Sequence, residues 1–229
     1  MYYNPQIEVL SSTKEPAKLV YSVARDSMVN RYVMKEGAES VISNAGNLVR
    51  YLYTADHGEP LRFPTLSCRV TGVSRAFMSQ IRTWKHMSCV CSSQHYQDYR
   101  LYPSFSRPEC AGPISAAMQN YTDLIDQGLP VYEARMVLPE AMAVTINLTA
   151  NAQAWAYVIR RRLCLRNVPE MVIWATRMRQ VLINWFPELF NWVNAACEED
   201  KCREGFLTCK LSSNARQMAW VKAFSGEVY

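Results

Sequence analysis

Apolar positions recur at helical spacing along several stretches of this chain and alternate along a few others. Glu15–Ser27 and Ala38–Ala55 carry the period of amphipathic helices, and Val41, Ala45, Leu48 and Leu52 share one face of the second. Asn151–Leu163 and Pro169–Trp185 repeat that period. The latter sets Met171, Trp174, Met178, Val181, Leu182 and Trp185 on one side, and its proline suits a first helical turn. Ile114–Gln127 predicts a helix closed by Gly128, and Pro187 opens a further short one. Ile7–Leu10, Thr65–Thr71 (with Pro64 at its start) and Ala141–Leu148 read as strands. Residues 97–113, rich in Pro, Ser and Tyr, predict a surface loop, and Cys197–Tyr229 carries only a weak pattern. The sum is a mixed α+β chain, dominated by helices.

The segment Gly72–Tyr96 holds the densest chemistry. Treated as a helix, Val73–Met87 places Val73, Phe77, Ile81, Trp84 and Met87 on one face and Arg75, Ser79, Arg82 and His86 on the opposite one. Gln80 falls within the apolar face, where a buried amide needs partners. It either satisfies nearby backbone or reads the polar edge of a ligand. The helix from Asn151 sets Ala152, Ala156, Ile159 and Leu163 inward and Arg161 outward. Arg162 lies at the border beside Trp155, placed for an ion pair or for gripping a ligand. Arg135 stands in a short apolar run before Leu138-Pro139, where a cation requires a counter-group. Ser92, Ser93 and Gln94 form a turn able to donate hydrogen bonds to a phosphate.

Composition narrows the reading further. A length of 229 residues can bury a sizeable core. With only 8 glycines and neither G-x-G-x-x-G nor a P-loop pattern, the common nucleotide cradles are missing. The net charge is +5, but no basic run alternates with aromatics, so neither nucleic acid nor a membrane is an expected partner. No stretch resembles a signal peptide or a membrane span. The expected location is cytoplasmic, with the 8 cysteines as reduced thiols. Their spacing lacks the paired C-x2-C of zinc sites, so no metal is expected. The three histidines, His57, His86 and His95, make no nucleophile–base pair with any serine or cysteine that spacing can identify.

Several segments together resemble the flavin-dependent thymidylate synthases. Val70-Thr71-Gly72-Val73-Ser74-Arg75-Ala76-Phe77 followed by Gln80 is similar to that family's strand-to-helix passage. Ser93-Gln94-His95-Tyr96 resembles its S-Q-R-Y, and Glu133-Ala134-Arg135-Met136-Val137-Leu138-Pro139 its x-A-R-x-x-L-P. Asn151-Ala152-Gln153, with Arg162 and Glu170, is similar to N-A-R…L-R…E-I. The agreement runs from about residue 15 to residue 195, within one domain over 1–229. The resemblance implies an α+β, helix-rich subunit with a small antiparallel sheet, assembled as a homotetramer with shared active sites. It implies FAD reduced by NADPH, methylenetetrahydrofolate as one-carbon donor, and C5 methylation of a uracil nucleotide, dUMP or UMP. No protein nucleophile is needed in such chemistry; the protein orients and stabilises charge around the cofactor.

Carried over by position, Gln80, Ser93, Gln94, Arg135 and Arg162 would bind the nucleotide. Arg162 would meet the pyrimidine as negative charge develops on it. His57, Thr83, Trp84, Lys85 and Asn151 would contact the flavin. The family's Arg-His-Arg is replaced here by Thr83-Trp84-Lys85, its glutamate two residues before the serine by Cys91, and the arginine of S-Q-R-Y by His95. Pro60-Leu61-Arg62-Phe63 stands for P-F-E-H. Trp84 can stack where the histidine did, and Lys85 keeps one cation. Two rivals accompany this reading: a related C5 hydroxymethylase, and a non-catalytic nucleotide-binding oligomer on the same scaffold. Retention of Gln80, Ser93, Arg135, Arg162, His57 and Asn151 together favours the enzyme.

Overall fold

The computed structural model describes residues 3–26, 42–104, 108–199, 202 and 204–209. The predicted residues Ser27 and Ala38–Val41 of the first two helices, residues 105–107 of the loop, and the tail from residue 210 lie outside them. In order, the elements are β1 (Gln6–Ser12), α1 (Pro16–Asp26), α2 (Ile42–Thr54), β2 (Thr65–Ser74), α3 (Arg75–Ile81), β3 (Met87–Cys91), α4 (Ala111–Asp126), α5 (Val131–Ala134), β4 (Ala143–Asn151), α6 (Ala152–Arg162), α7 (Pro169–Trp185), α8 (Pro187–Phe190) and α9 (Ala196–Glu199). Single 3-10 turns fall at Glu59–Arg62, Pro108–Cys110, Arg135–Val137 and Gly205–Leu207. Among the described residues, no helix is long and apolar enough to cross a membrane.

Four strands form one antiparallel sheet in the order β1-β2-β4-β3. Alternation decides its faces. Leu66, Cys68 and Val70 of β2 and Val144, Ile146, Leu148 and Ala150 of β4 are buried, whereas Ser67, Thr145, Asn147 and Thr149 between them are only half covered. On the polar face the hydroxyls of Ser67 and Thr149 pair across the strands, and Arg69 meets Glu8 at 2.8 Å. Two tryptophans anchor the apolar side. Trp155 of α6 and Trp174 of α7 have ring centres 6.5 Å apart, and Phe77 of α3 meets Trp174 edge-on at 5.3 Å. All three are fully buried, and the Trp155 indole N–H donates to the Leu66 carbonyl at 3.1 Å. That bond lets a polar ring lie against the sheet without leaving its donor unpaired.

Both central strands pass straight into helices, and a side chain starts each one. Ser74 ends β2 and its hydroxyl accepts the Phe77 N–H at 3.1 Å; Asn151 ends β4 and its Oδ1 accepts the Ala154 N–H at 2.8 Å. Because β2 and β4 are antiparallel, the two strand-to-helix corners lie at opposite ends of the sheet.

The sequence expectations hold best where the period is long: α7 spans the predicted residues, and Pro187 does begin α8. Three corrections follow from tertiary pairing. Val73–Met87 is not one helix: it is the end of β2, the seven-residue α3, a turn, and the start of β3. Met87–Cys91 pairs with β4 from Ala150 to Ile146, and those backbone bonds override a helical period that local sequence allows equally well. The strand predicted over Ala141–Leu148 is shifted to Ala143–Asn151, so Asn151 is the cap and α6 starts one residue later. Within the predicted surface loop, Tyr99 is fully buried, its N–H donating to the Tyr121 hydroxyl at 3.2 Å.

β2 also outruns its predicted end at Thr71, because a register shift between Val70 and Val73 sets two residues of β2 opposite one of β4 and pairing resumes beyond it. Gly72 within it has φ +71°, and a Cβ there would lie 2.3 Å from the Asn4 carbonyl oxygen. Both the left-handed backbone and the contact exclude a side chain. Gly72→Ala is expected to destabilise the fold by about 2–3 kcal/mol. Urea unfolding of the two proteins would measure it.

Candidate functional site

The turn between α3 and β3 carries Thr83, Trp84 and Lys85, with Trp84 half-buried and its neighbours exposed. Beside it, Asn151, Gln153, Ala154, Tyr157 and Val158 of the β4–α6 corner complete a cavity of about 580 Å³ that also includes Arg62. Its polar and aromatic groups are organised. Trp84 and Tyr157 meet edge-on with ring centres 5.4 Å apart, and Arg62 Nε donates to the Gln153 side-chain oxygen at 2.6 Å. Asn151 spends its oxygen on the helix cap while lining the same space.

Arg162 ends α6 on the far side of the Trp84 ring. Its guanidinium carbon lies 5.0 Å from the ring centre, a cation–π contact of partly desolvated type. Nη1 donates to Asn167 Oδ1 at 3.0 Å, and Nη2 reaches the Gln80 carbonyl at 3.4 Å. The Asn167 amide nitrogen in turn donates to the carbonyls of Arg161, Arg162 and Cys164, tying the end of α6 into a compact knot. Burial, with Arg161 adding like charge, pulls the Arg162 pKa below its ordinary value. An arginine starts so high that it stays charged at neutral pH. Two buried donors here have no acceptor among the described residues: Arg162 Nε and the Trp84 indole N–H. Buried donors are rarely left unpaired, and such groups at a cavity wall are what a ligand's acceptors would satisfy.

Gln80 is half-buried rather than fully enclosed. With Ser74, Glu140, Val168 and Glu170 it lines a smaller cavity of about 200 Å³. Glu170, on the first turn of α7, is 4% exposed. Its carboxylate accepts both the backbone N–H and the hydroxyl of Ser74, each at 2.6 Å. Burial raises its pKa, a shift that the two Ser74 hydrogen bonds only partly offset. Glu170 thereby clamps the corner from which α3 carries Gln80 toward Arg162.

The remaining sequence-predicted residues form a separate group. Ser93 follows β3, and its hydroxyl accepts the His95 N–H at 3.2 Å. Gln94 is 8% exposed and directs its amide nitrogen to the Met142 sulfur at 3.1 Å, away from solvent. His95 stacks on Tyr132 with ring centres 5.4 Å apart, which sets the Ser93 turn next to the segment bearing Arg135. Arg135 is half-buried, and its side chain makes no ion pair with any described residue. His57 is exposed beside Tyr51, at 6.1 Å between rings, and lines neither the Trp84 cavity nor the Gln80 one. One chain therefore joins Gln80, Trp84, Lys85, Asn151 and Arg162, and separately joins Ser93 with Arg135. Strand β3 lies between the two groups and carries the chain roughly 15–20 Å from Met87 to Ser93.

Sequence reasoning missed Tyr157 and the neighbouring cavity it shares with Gln153. That second space, about 680 Å³, is closed by Glu199 of α9, which accepts from the Tyr53 hydroxyl (3.0 Å) and the Asn194 N–H (2.6 Å) and faces Arg160 at 2.7 Å. Burial, reinforced by Glu199, drives the Tyr53 pKa far above its ordinary value, so the phenol remains protonated. A signal for Tyr157 existed in the sequence: it is a large aromatic on the face of α6 opposite Ala152, Ala156 and Ile159.

Comparison with known proteins bears on what this arrangement serves. The family model of thymidylate synthase complementing protein matches residues 8–188. A flavin-dependent thymidylate synthase of Nitratidesulfovibrio vulgaris is 27% identical over 225 residues, covering 88% of this chain and 92% of its own. One from Geobacter sulfurreducens is 25% identical over 225 residues, covering 93% and 97%. Among solved structures, the UMP/dUMP methylase PolB from Streptomyces cacaoi, bound with 5-Br dUMP, has a TM-score of 0.69. It shares 18% identity and covers 83% of this chain and 94% of that one, a likeness of fold. With a family match that takes in most of β1, all of β2 to β4 and all of α1 to α7, the chain belongs to the thymidylate synthase complementing protein family, the flavin-dependent thymidylate synthases.

Proposed function

We propose that this protein methylates C5 of a uracil nucleotide, dUMP or UMP, using methylenetetrahydrofolate as one-carbon donor, with FAD reduced by NADPH. The observation that carries the reading is the Arg162–Trp84 pair. A charged guanidinium and an indole stand together beside a cavity, each with a buried N–H unspent. The residues present suit a flavin. Trp84 and Tyr157 offer ring faces and edges, the Trp84 N–H offers a donor to a ring carbonyl or nitrogen, and Lys85 and Arg62 offer cations for a diphosphate. Bound and reduced, the flavin supplies the hydride that completes the methyl group.

The chain's own part is positioning and charge. Arg162 is fixed by Asn167 and the Gln80 carbonyl, so its free N–H groups point in a set direction before any substrate arrives. Preorganised donors stabilise developing charge without reorganisation at the moment of reaction. Ser93 and Arg135 suit a nucleotide phosphate: a half-buried cation without a counterion gains from an arriving anion. Gln94, committed to Met142, would act by shaping that turn. A nucleotide monophosphate is too short to bridge the two groups of one chain across β3. This supports a homotetramer in which Ser93 and Arg135 of one subunit complete the Arg162 cavity of another.

The test is reconstitution. Protein incubated with FAD and desalted should retain yellow flavin absorption. With NADPH, methylenetetrahydrofolate and dUMP or UMP it should yield a product heavier by one CH2, the C5 hydrogen having been replaced by methyl. Lys85→Ala should weaken FAD uptake about tenfold, roughly 1.4 kcal/mol. Protein that stays colourless at saturating FAD would refute the proposal.

A further inference from the structure

Four of the eight cysteines share one cavity of about 320 Å³, although they come from separate parts of the chain. Cys164 lies two residues beyond α6, Cys197 lies in α9, and Cys202 and Cys209 follow it. All are free thiols. Their access to solvent differs: Cys202 is exposed, whereas Cys164, Cys197 and Cys209 are partly buried. Burial raises the Cys164 and Cys197 pKa values, and nearby thiols contribute to both shifts, a further sign that these sulfurs are neighbours. Four arginines and one carboxylate, Glu204, line the same space, with Arg160 already paired to Glu199 at 2.7 Å. Among the described residues, no three such side chains stand where they could hold a metal ion. The grouping is therefore suited to chemistry between pairs of thiols.

We propose that Cys202 is a peroxide-reactive thiol whose oxidation is resolved to an intrachain disulfide by one of the three cysteines that share its cavity. In the first step the Cys202 thiolate attacks one peroxide oxygen. The O–O bond breaks, hydroxide leaves, and a sulfenic acid forms. In the second, a neighbouring thiolate attacks the Cys202 sulfur. The S–O bond breaks, hydroxide departs and takes up a proton as water, and the S–S bond forms. Overall, two thiols lose two electrons and two protons, and one peroxide becomes two waters. An exposed thiol with partly covered thiols behind it is the arrangement such a sequence needs: the first must meet the oxidant, and the second must meet only the first. Trp84 and Arg162 form part of the wall of this cavity too, so it adjoins the site proposed above, but the thiol steps use neither side chain.

The experiment uses the reduced full-length protein, treated with hydrogen peroxide, alkylated, and analysed by thiol counting and peptide mass spectrometry. The expected result is loss of two of the eight thiols per chain in a linkage from Cys202 to Cys164, Cys197 or Cys209, restored by dithiothreitol. Cys202→Ser should retain its remaining thiols over the same interval. Cys110→Ser, which removes an exposed cysteine outside the cavity, should behave as wild type. The mapping is made on the unaltered chain, so it stands even if a variant folds poorly. Oxidation of Cys202 no faster than Cys110, a linkage between chains, or over-oxidation of Cys202 without a disulfide would overturn the proposal.

Discussion

Arg162→Ala is expected to leave the secondary structure intact and to lower kcat by about a hundred- to a thousandfold, the usual loss when a preorganised charge-stabilising donor is removed. The geometry explains why the effect should fall on turnover more than on folding. The guanidinium's contacts are an asparagine side chain, a long bond to the Gln80 carbonyl and the face of Trp84, and Asn167 retains its three backbone acceptors without it. Arg162→Lys should rescue little. A lysine keeps the charge but loses the planar fork that contacts Asn167 and the indole together. Steady-state kinetics with thermal unfolding separates the two effects. Activity within tenfold of wild type, about 1.4 kcal/mol of barrier, would remove Arg162 from the chemistry.

Glu170→Ala should have the largest effect on stability, about 3 kcal/mol in urea unfolding. The change leaves the buried Ser74 N–H without an acceptor and its hydroxyl without a recipient. Glu170→Gln keeps an acceptor and should cost less. The two carboxyl-bearing states also predict the pH behaviour. Burial raises the folded-state pKa above the ordinary value of 4.5. The contribution of Glu170 to stability is then complete below 4.5 and declines as pH rises through its higher folded value. The stability gap between wild type and Glu170→Gln should therefore be widest in acid and narrow toward neutrality. A gap that widened with rising pH would mean that the carboxylate, and not the acid, is the favoured buried form.

Much of the helical frame was legible because its signals are local. Pro169 marks where α7 begins, and its buried face repeats over four turns without interruption. β3 was not legible. Met87-Ser88-Cys89-Val90-Cys91 is five residues long and continues the spacing of Val73, Phe77 and Ile81, so only pairing with Ala150–Ile146 of β4 decides its state. The same limit applies within the site. Helical geometry correctly set Arg162 at the border of α6, but it named Trp155 as the neighbouring ring. That indole turns inward to the Leu66 carbonyl, and the ring that meets Arg162 is Trp84, delivered from a different element. Glu170 was noted only as part of a motif. A glutamate in the first turn of a helix ordinarily complements the helix dipole in solvent, and its burial follows from a corner of β2 that sequence cannot bring near.

Asn167 carries a consequence of its own. Its single side chain closes a loop of seven residues, from Arg161 to itself, through local bonds alone. One anchor of the Arg162 head group is thus written into contiguous sequence, while Gln80 and Trp84 supply the others from a distant segment. That local anchor can assemble as soon as the last turn of that helix has formed, and changes made elsewhere in the protein should reach it last.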